Sequence, residues 1–125
     1  MKLKQLQHES DSWKRLLAFI MDENVCLKNR LTEVLKDKFN KNLLEDLEYF
    51  HSNFVSEDEM IRLLRNDIVE LDKLLVKEIF EDGGIIKQVE RKLHKLHNDL
   101  ENIQMQFGKL KLDFNNYLSE NIYII

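Results

Sequence analysis

The sequence predicts an all-α fold, an antiparallel bundle of three long coiled-coil-like helices spanning about 3–37, 42–81 and 85–121. Three observations lead there. Proline is absent and only three glycines occur in 125 residues, so helix breakers are rare. Charged residues make up 34% of the chain, enough to coat the outer faces of long helices. Apolar residues recur at alternating spacings of three and four, which places them on one stripe of a helix.

The first helix carries the run Leu3, Leu6, Ser10, Trp13, Leu17, Ile20, Asn24, Leu27, Leu31 and Val34, with Ser10 and Asn24 as its polar members. The second carries Leu43, Leu47, Phe50, Phe54, Glu57, Ile61, Leu64, Ile68, Leu71 and Leu75, where only Glu57 departs from the pattern. The third has no exception: Ile86, Val89, Leu93, Leu96, Leu100, Ile103, Phe107, Leu110, Phe114 and Tyr117. Twenty-seven of these 30 seam positions are apolar. A 43% hydrophobic composition alone would put roughly 13 there, so the period reflects folding and not composition.

End signals separate the runs. Asn42 followed by Glu45 has the capping-box spacing, and Asp82-Gly83-Gly84 supplies a stop immediately before the third run. Each run is about 36 to 40 residues, or 55 to 60 Å of helix at 1.5 Å per residue, so short turns give a hairpin-style rod. A competing signal lies inside helix 2. Ser56-Glu57-Asp58-Glu59 is a second capping-box pattern that would break the helix near 55–57, into pieces 43–54 and 57–81. Continuity is favoured because the heptad phase passes from Phe54 through Glu57 to Ile61 without slipping. No linker or sequence repeat divides the chain, and one domain is expected over 1–125.

Composition bounds the functional classes. A net charge of −4 lacks the basic excess of a nucleic-acid binder. The N-terminus alternates polar and apolar residues and reads as neither signal peptide nor membrane span. Cys26 is the only cysteine, which rules out an intramolecular disulfide and a cysteine-based zinc site and agrees with a cytoplasmic location. No phosphate-binding loop is present, because Gly83-Gly84 lacks the strand and lysine such loops need. Cys26 and the serines sit inside helical runs without the glycine elbow that exposes a nucleophile, so no catalytic residues are assigned and the chain is expected not to be an enzyme.

Candidate sites follow from folding the rod. If the first turn centres near Asn40, residues of helices 1 and 2 whose numbers add to about 80 lie level, and for helices 2 and 3 the total is about 167. Asn24 and Glu57 then share a buried polar layer mid-rod, within hydrogen-bonding reach of one another and facing Phe107 to Leu110 with Gly108 between. Such a layer fixes register in a bundle. Glu48-Tyr49-Phe50-His51 matches the Glu-x-x-His spacing of di-iron bundles, but no second copy exists and the pair flanks the seam. His94 and His97 share an outward face near Glu90 and Glu101, and Lys87, Arg91, Lys92 and Lys95 read as a solvated helix face. No metal site and no cofactor are assigned.

A second set of apolar residues lies outside the seam: Ala18, Phe19, Val25, Cys26 and Phe39 on helix 1, Leu63, Val69, Val76 and Phe80 on helix 2, Met105 and Leu112 on helix 3. About half are expected to broaden the core stripe, as globular helices bury more than two positions in seven. The others (Phe19, Val25, Cys26, Leu63, Val69, Val76, Phe80, Met105 and Leu112 being the candidates) are expected to form a protein interface. The apolar end Ile122-Tyr123-Ile124-Ile125 is expected to pack against the first turn with Phe39, a docking tail being the alternative. Trp13 on a long first helix of a three-helix unit resembles spectrin-type repeats in one residue and an architecture, from which no residue role is carried over. The expected function is that of a non-enzymatic interaction or scaffold protein whose partner is itself or another helical protein, homodimerisation first. The alternative is a small metal- or ligand-binding bundle using His51 or the His94 and His97 pair.

Overall fold

The structure is a computed structural model that describes residues 3–37, 41–80 and 86–122. Three helices account for nearly all of them: α1 (Leu3–Asp37), α2 (Lys41–Phe80) and α3 (Ile86–Asn121). α2 begins one residue ahead of the expected start, and the side chain of Asn42 lies outside the described residues. So do the Asp82-Gly83-Gly84 stop, Phe39 and the end 123–125.

α2 is continuous through residues 55–57. The capping-box pattern there is not used as a cap. Glu59 instead pairs with Arg62 one turn on, through Oε1 and Oε2 to the guanidinium, while Ser56 is exposed. Keeping the helix lets Phe54, Glu57 and Ile61 all reach the same buried stripe, which a loop would interrupt.

Burial follows the heptad seams closely. Trp13, Leu17, Ile20, Leu27, Leu31 and Val34 of α1 are buried, as are Leu47, Phe50, Phe54, Ile61, Leu64, Ile68, Leu71 and Leu75 of α2 and Val89, Leu96, Leu100, Ile103, Phe107 and Phe114 of α3. The polar members Ser10, Asn24 and Glu57 are buried with them. Among the described residues only Leu118 is buried off the seam. The reason is Tyr117, whose hydroxyl donates to Asp46 Oδ2 at 3.2 Å on the rim. Its ring stays half-buried against Phe50, and Leu118 fills the core position one residue later. Burial, then the hydrogen bond to Asp46 and its charge, push the Tyr117 phenol up to about 12.

Phe50, Phe54, Phe114 and Tyr117 form an aromatic cluster near the α1–α2 end of α2, with ring centroids 5.1 to 5.3 Å apart. Ile122 packs on the core beyond it, its N–H donating to the Leu118 carbonyl at 2.9 Å. Cross-helix bonds show the level scheme directly. Ser10 meets Asp72 and Asn24 meets Phe54 and Asp58, so α1 and α2 are antiparallel. Tyr117 meets Asp46, so α2 and α3 are antiparallel too. The three pairs are not equivalent. α2 approaches both neighbours closely along its length, whereas the parallel helices α1 and α3 stand farther apart and leave a groove between them. Among the described residues, no helix is long and apolar enough to cross a membrane.

Candidate functional site

The α1–α2 interface carries a polar device that repeats. Ser10 Oγ donates to Asp72 Oδ1 at 2.7 Å and Lys14 Nζ donates to Asp72 Oδ2 at 2.6 Å. Fourteen residues along, Asn24 Nδ2 donates to Asp58 Oδ1 at 2.7 Å and Lys28 Nζ donates to Asp58 Oδ2. In both rungs a buried seam residue and the lysine four residues later on α1 clamp one aspartate of α2. Between them the same three positions hold Leu17, Met21 and Arg65, with Arg65 Nη1 3.4 Å from Met21 Sδ. Ser10 is fully buried, whereas Lys14 is exposed over 45% of its side chain. Asp72→Ala is therefore expected to cost about 1–3 kcal/mol through the orphaned hydroxyl, and Lys14→Ala less than about 1 kcal/mol. Urea unfolding of the two variants checks the ranking; equal costs would show that the clamp acts through the ion pair alone.

Asn24 and Glu57 are both buried mid-rod, but they do not hydrogen-bond to each other. Asn24 Nδ2 turns to the Phe54 carbonyl at 2.9 Å and to Asp58, because the aspartate offers a charged acceptor on the same side of α2. Asn24 Oδ1 and Glu57 Oε2 are left buried with no hydrogen-bond partner among the described residues. Burial, followed by the Asp58 charge, raises the Glu57 carboxyl above the ordinary carboxylate range. Gly108 does not face this layer. It is exposed, and a Cβ built on it would meet nothing within 4 Å.

The off-seam apolar candidates do not broaden the core; Leu16, Met21, Leu35 and Leu74, which also lie off the seam, do so as partly buried side chains packed against it. Phe19, Val25, Leu63, Val69, Val76, Met105 and Leu112 range from 42% to 73% exposed, and Ala18 and Cys26 are exposed with them. Full burial among the described residues is confined to about two positions per heptad, and the next positions out hold both these partly buried apolar side chains and the rim polar pairs. The side chain of Phe80 lies outside the described residues.

Nor do these residues form one stripe. Phe19 and Cys26 line the groove between α1 and α3 together with Glu23, Arg30, Lys111 and Asn115. Lys111 Nζ spans it to both Glu23 oxygens at 3.0 Å, and Arg30 Nη1 donates to Asn115 Oδ1 at 3.2 Å. Those bonds set the level: Phe19 is level with Met105 and Cys26 with Leu112. Leu63 belongs to the α2–α3 groove with Met60 and Asp67. Val25 is level with Val55, and Val69 and Val76 continue the same flank of α2. Leu44, Tyr49, Val55 and Met60, 37% to 66% exposed, add apolar surface that the sequence pattern alone did not single out.

The histidines stand apart. His51 and Glu48 are exposed on the outer side of α2. His97 Nε2 lies 3.1 Å from Glu101, while His94 Nε2 lies 3.4 Å from Asn98 Nδ2, so the two rings engage different neighbours along their own helix. Among the described residues no group of three or more His, Cys, Asp or Glu side chains converges as a metal site would. Compared with known protein families, curated proteins and solved structures, the chain matches none.

Proposed function

We propose that the chain is a non-enzymatic interaction protein of the cytoplasm that works through the apolar outer surfaces of its helices, and that its first partner is a second copy of itself. The observation that carries this reading is the exposed set Phe19, Met105 and Leu112, at 60%, 73% and 59%, on a molecule whose core is already filled by its own seams. Large apolar side chains grouped on one face cost solubility without adding to the fold, and such groups mark surfaces that a partner covers. The single cysteine supports residence in a reducing compartment.

The test is mass in solution across concentration. Light scattering after gel filtration is expected to rise from the 15.1 kDa of one chain toward twice that value between low and high micromolar protein. A constant single-chain mass at millimolar concentration would remove self-association. Metal analysis of protein purified without an affinity tag separates this reading from a metal-binding bundle, since a stoichiometric metal would favour the latter.

A further inference from the structure

We propose that the mid-rod layer is a proton-dependent lock between α1 and α2: a proton held on Glu57 donates to Asn24 Oδ1, and its loss as pH rises opens the layer to water. The lock does not depend on self-association. It starts from two buried acceptors, Asn24 Oδ1 and Glu57 Oε2, which find no donor among the described residues.

Turning the Asn24 amide over would not relieve its orphaned oxygen. Nδ2 directs its two hydrogens to the Phe54 carbonyl and to Asp58 Oδ1, and exchanging the two ends would set oxygen against oxygen at both contacts. Oδ1 therefore faces away from those acceptors and is itself closed to solvent. The same bonds hold the amide over the turn of α2 between Phe54 and Asp58, from which the Glu57 side chain departs. An ionised carboxylate only accepts, so as a carboxylate Glu57 cannot bond to Oδ1. A protonated carboxyl, its proton taken from solvent, carries the one O–H that the layer lacks.

Among the described residues no other group around this level supplies it. On α1, Lys28 is committed to Asp58, and Glu23 is held by Lys111 of α3. On α2, Asn53 donates to the Tyr49 carbonyl and Glu59 is held by Arg62. At this level α3 carries the apolar Phe107, buried, and Leu110, half-buried. Burial and then the Asp58 charge both favour the protonated form of Glu57. The layer is thus complete below the raised carboxyl value and incomplete above it, which makes the middle of the rod its pH-sensitive point.

NMR of the side-chain carbonyl carbons of the full chain, followed from acid through neutral pH, tests the lock. The Asn24 amide carbon is expected to titrate with the midpoint of the Glu57 carboxyl carbon, and to stop doing so in Glu57→Gln, which keeps Asp58 and carries a permanent N–H donor. Amide exchange over residues 54–61 is expected to quicken above that midpoint in the wild type and not in Glu57→Gln. Asn24→Val decides by sign. If Asn24 shares the proton, removing its oxygen lowers the Glu57 midpoint toward the ordinary carboxylate range. If burial and Asp58 alone hold the proton, a more apolar neighbour and an Asp58 deprived of one donor raise the midpoint or leave it unchanged, and the lock is overturned. Should Asn24→Val fail to fold, the wild type decides alone: an Asn24 carbon indifferent to the Glu57 midpoint, or cross-peaks from Asn24 to a bound water on both sides of it, assigns the donor to water and overturns the proposal.

Discussion

Phe54→Ala is expected to lower unfolding free energy by about 3–5 kcal/mol, the largest loss of any single substitution considered. Phe54 is fully buried, and its ring meets Phe114 edge-on at 5.1 Å with an interplanar angle of 87°. Removing it takes away transfer free energy, leaves a void that Phe50 and Phe114 cannot close, and loses an aromatic pair worth about 0.5–1.5 kcal/mol beyond its area. The backbone carbonyl of the same residue accepts from Asn24, so any shift of α2 to fill the void would loosen a second contact. Val55→Ala, the next residue and 48% exposed, is the control and should change stability by no more than about 0.5 kcal/mol. The check is the urea midpoint at unchanged m-value. A loss below about 1.5 kcal/mol would mean that the aromatic cluster is not closed.

Glu57→Leu is expected to do the reverse, stabilising the chain by about 1–3 kcal/mol near neutral pH. Glu57 is 7% exposed in a seam otherwise filled by Phe54 and Ile61, and its Oε2 has no partner. Leucine has a similar volume and no polar atom to leave unsatisfied. The ionisation behaves predictably as well. Burial first, and then Asp58, raise the folded-state carboxyl above its unfolded value. The native state therefore holds its proton more tightly than the unfolded chain does. That contribution to stability is fully present below the ordinary carboxylate range and is lost as pH rises through the raised folded value. Glu57→Gln removes the ionisation while keeping the shape. Its advantage over the wild type should grow as pH rises out of the acid range and then level off. A difference between the two proteins that is constant from pH 4 to 8 would show that Glu57 is solvated in the native state.

The helices were legible because burial in a narrow bundle imposes a strict period, and that period survives in a single sequence. Even the polar exceptions at Ser10, Asn24 and Glu57 could be placed at buried positions, since the phase runs through them unbroken. What they bond to was not legible. Asp58 and Asp72 sit on the flank of α2 among many other charges, and only the folded hairpin shows that each closes on a seam residue and a lysine of α1. Periodicity also could not separate apolar residues that widen a core from those left outside, because both lie near the seam on a helical wheel. Leu16, Met21, Leu35 and Leu74 pack against the core while Phe19, Val25 and Leu63 stay outside it, and only the folded bundle separates the two groups. Gly108 was placed level with the polar layer correctly, but on the wrong side of its helix, since level and facing are independent coordinates.

The recurring clamp has a consequence for how the α1–α2 hairpin closes. Hydrophobic matching alone repeats every seven residues, so a chain collapsing quickly has several mispaired alignments of nearly equal apolar content. The clamp repeats every fourteen. A slip of seven in one direction sets Ser10 against Arg65 and Asn24 against His51; in the other it sets Asn24 against Arg65. In both, an aspartate is left over Leu17 and Met21 with no donor. A slip of fourteen realigns one rung but strips about 21 Å of seam of its partner. Only one reading frame therefore satisfies both the oily and the polar code, and refolding of the hairpin should proceed without long-lived, frame-shifted traps.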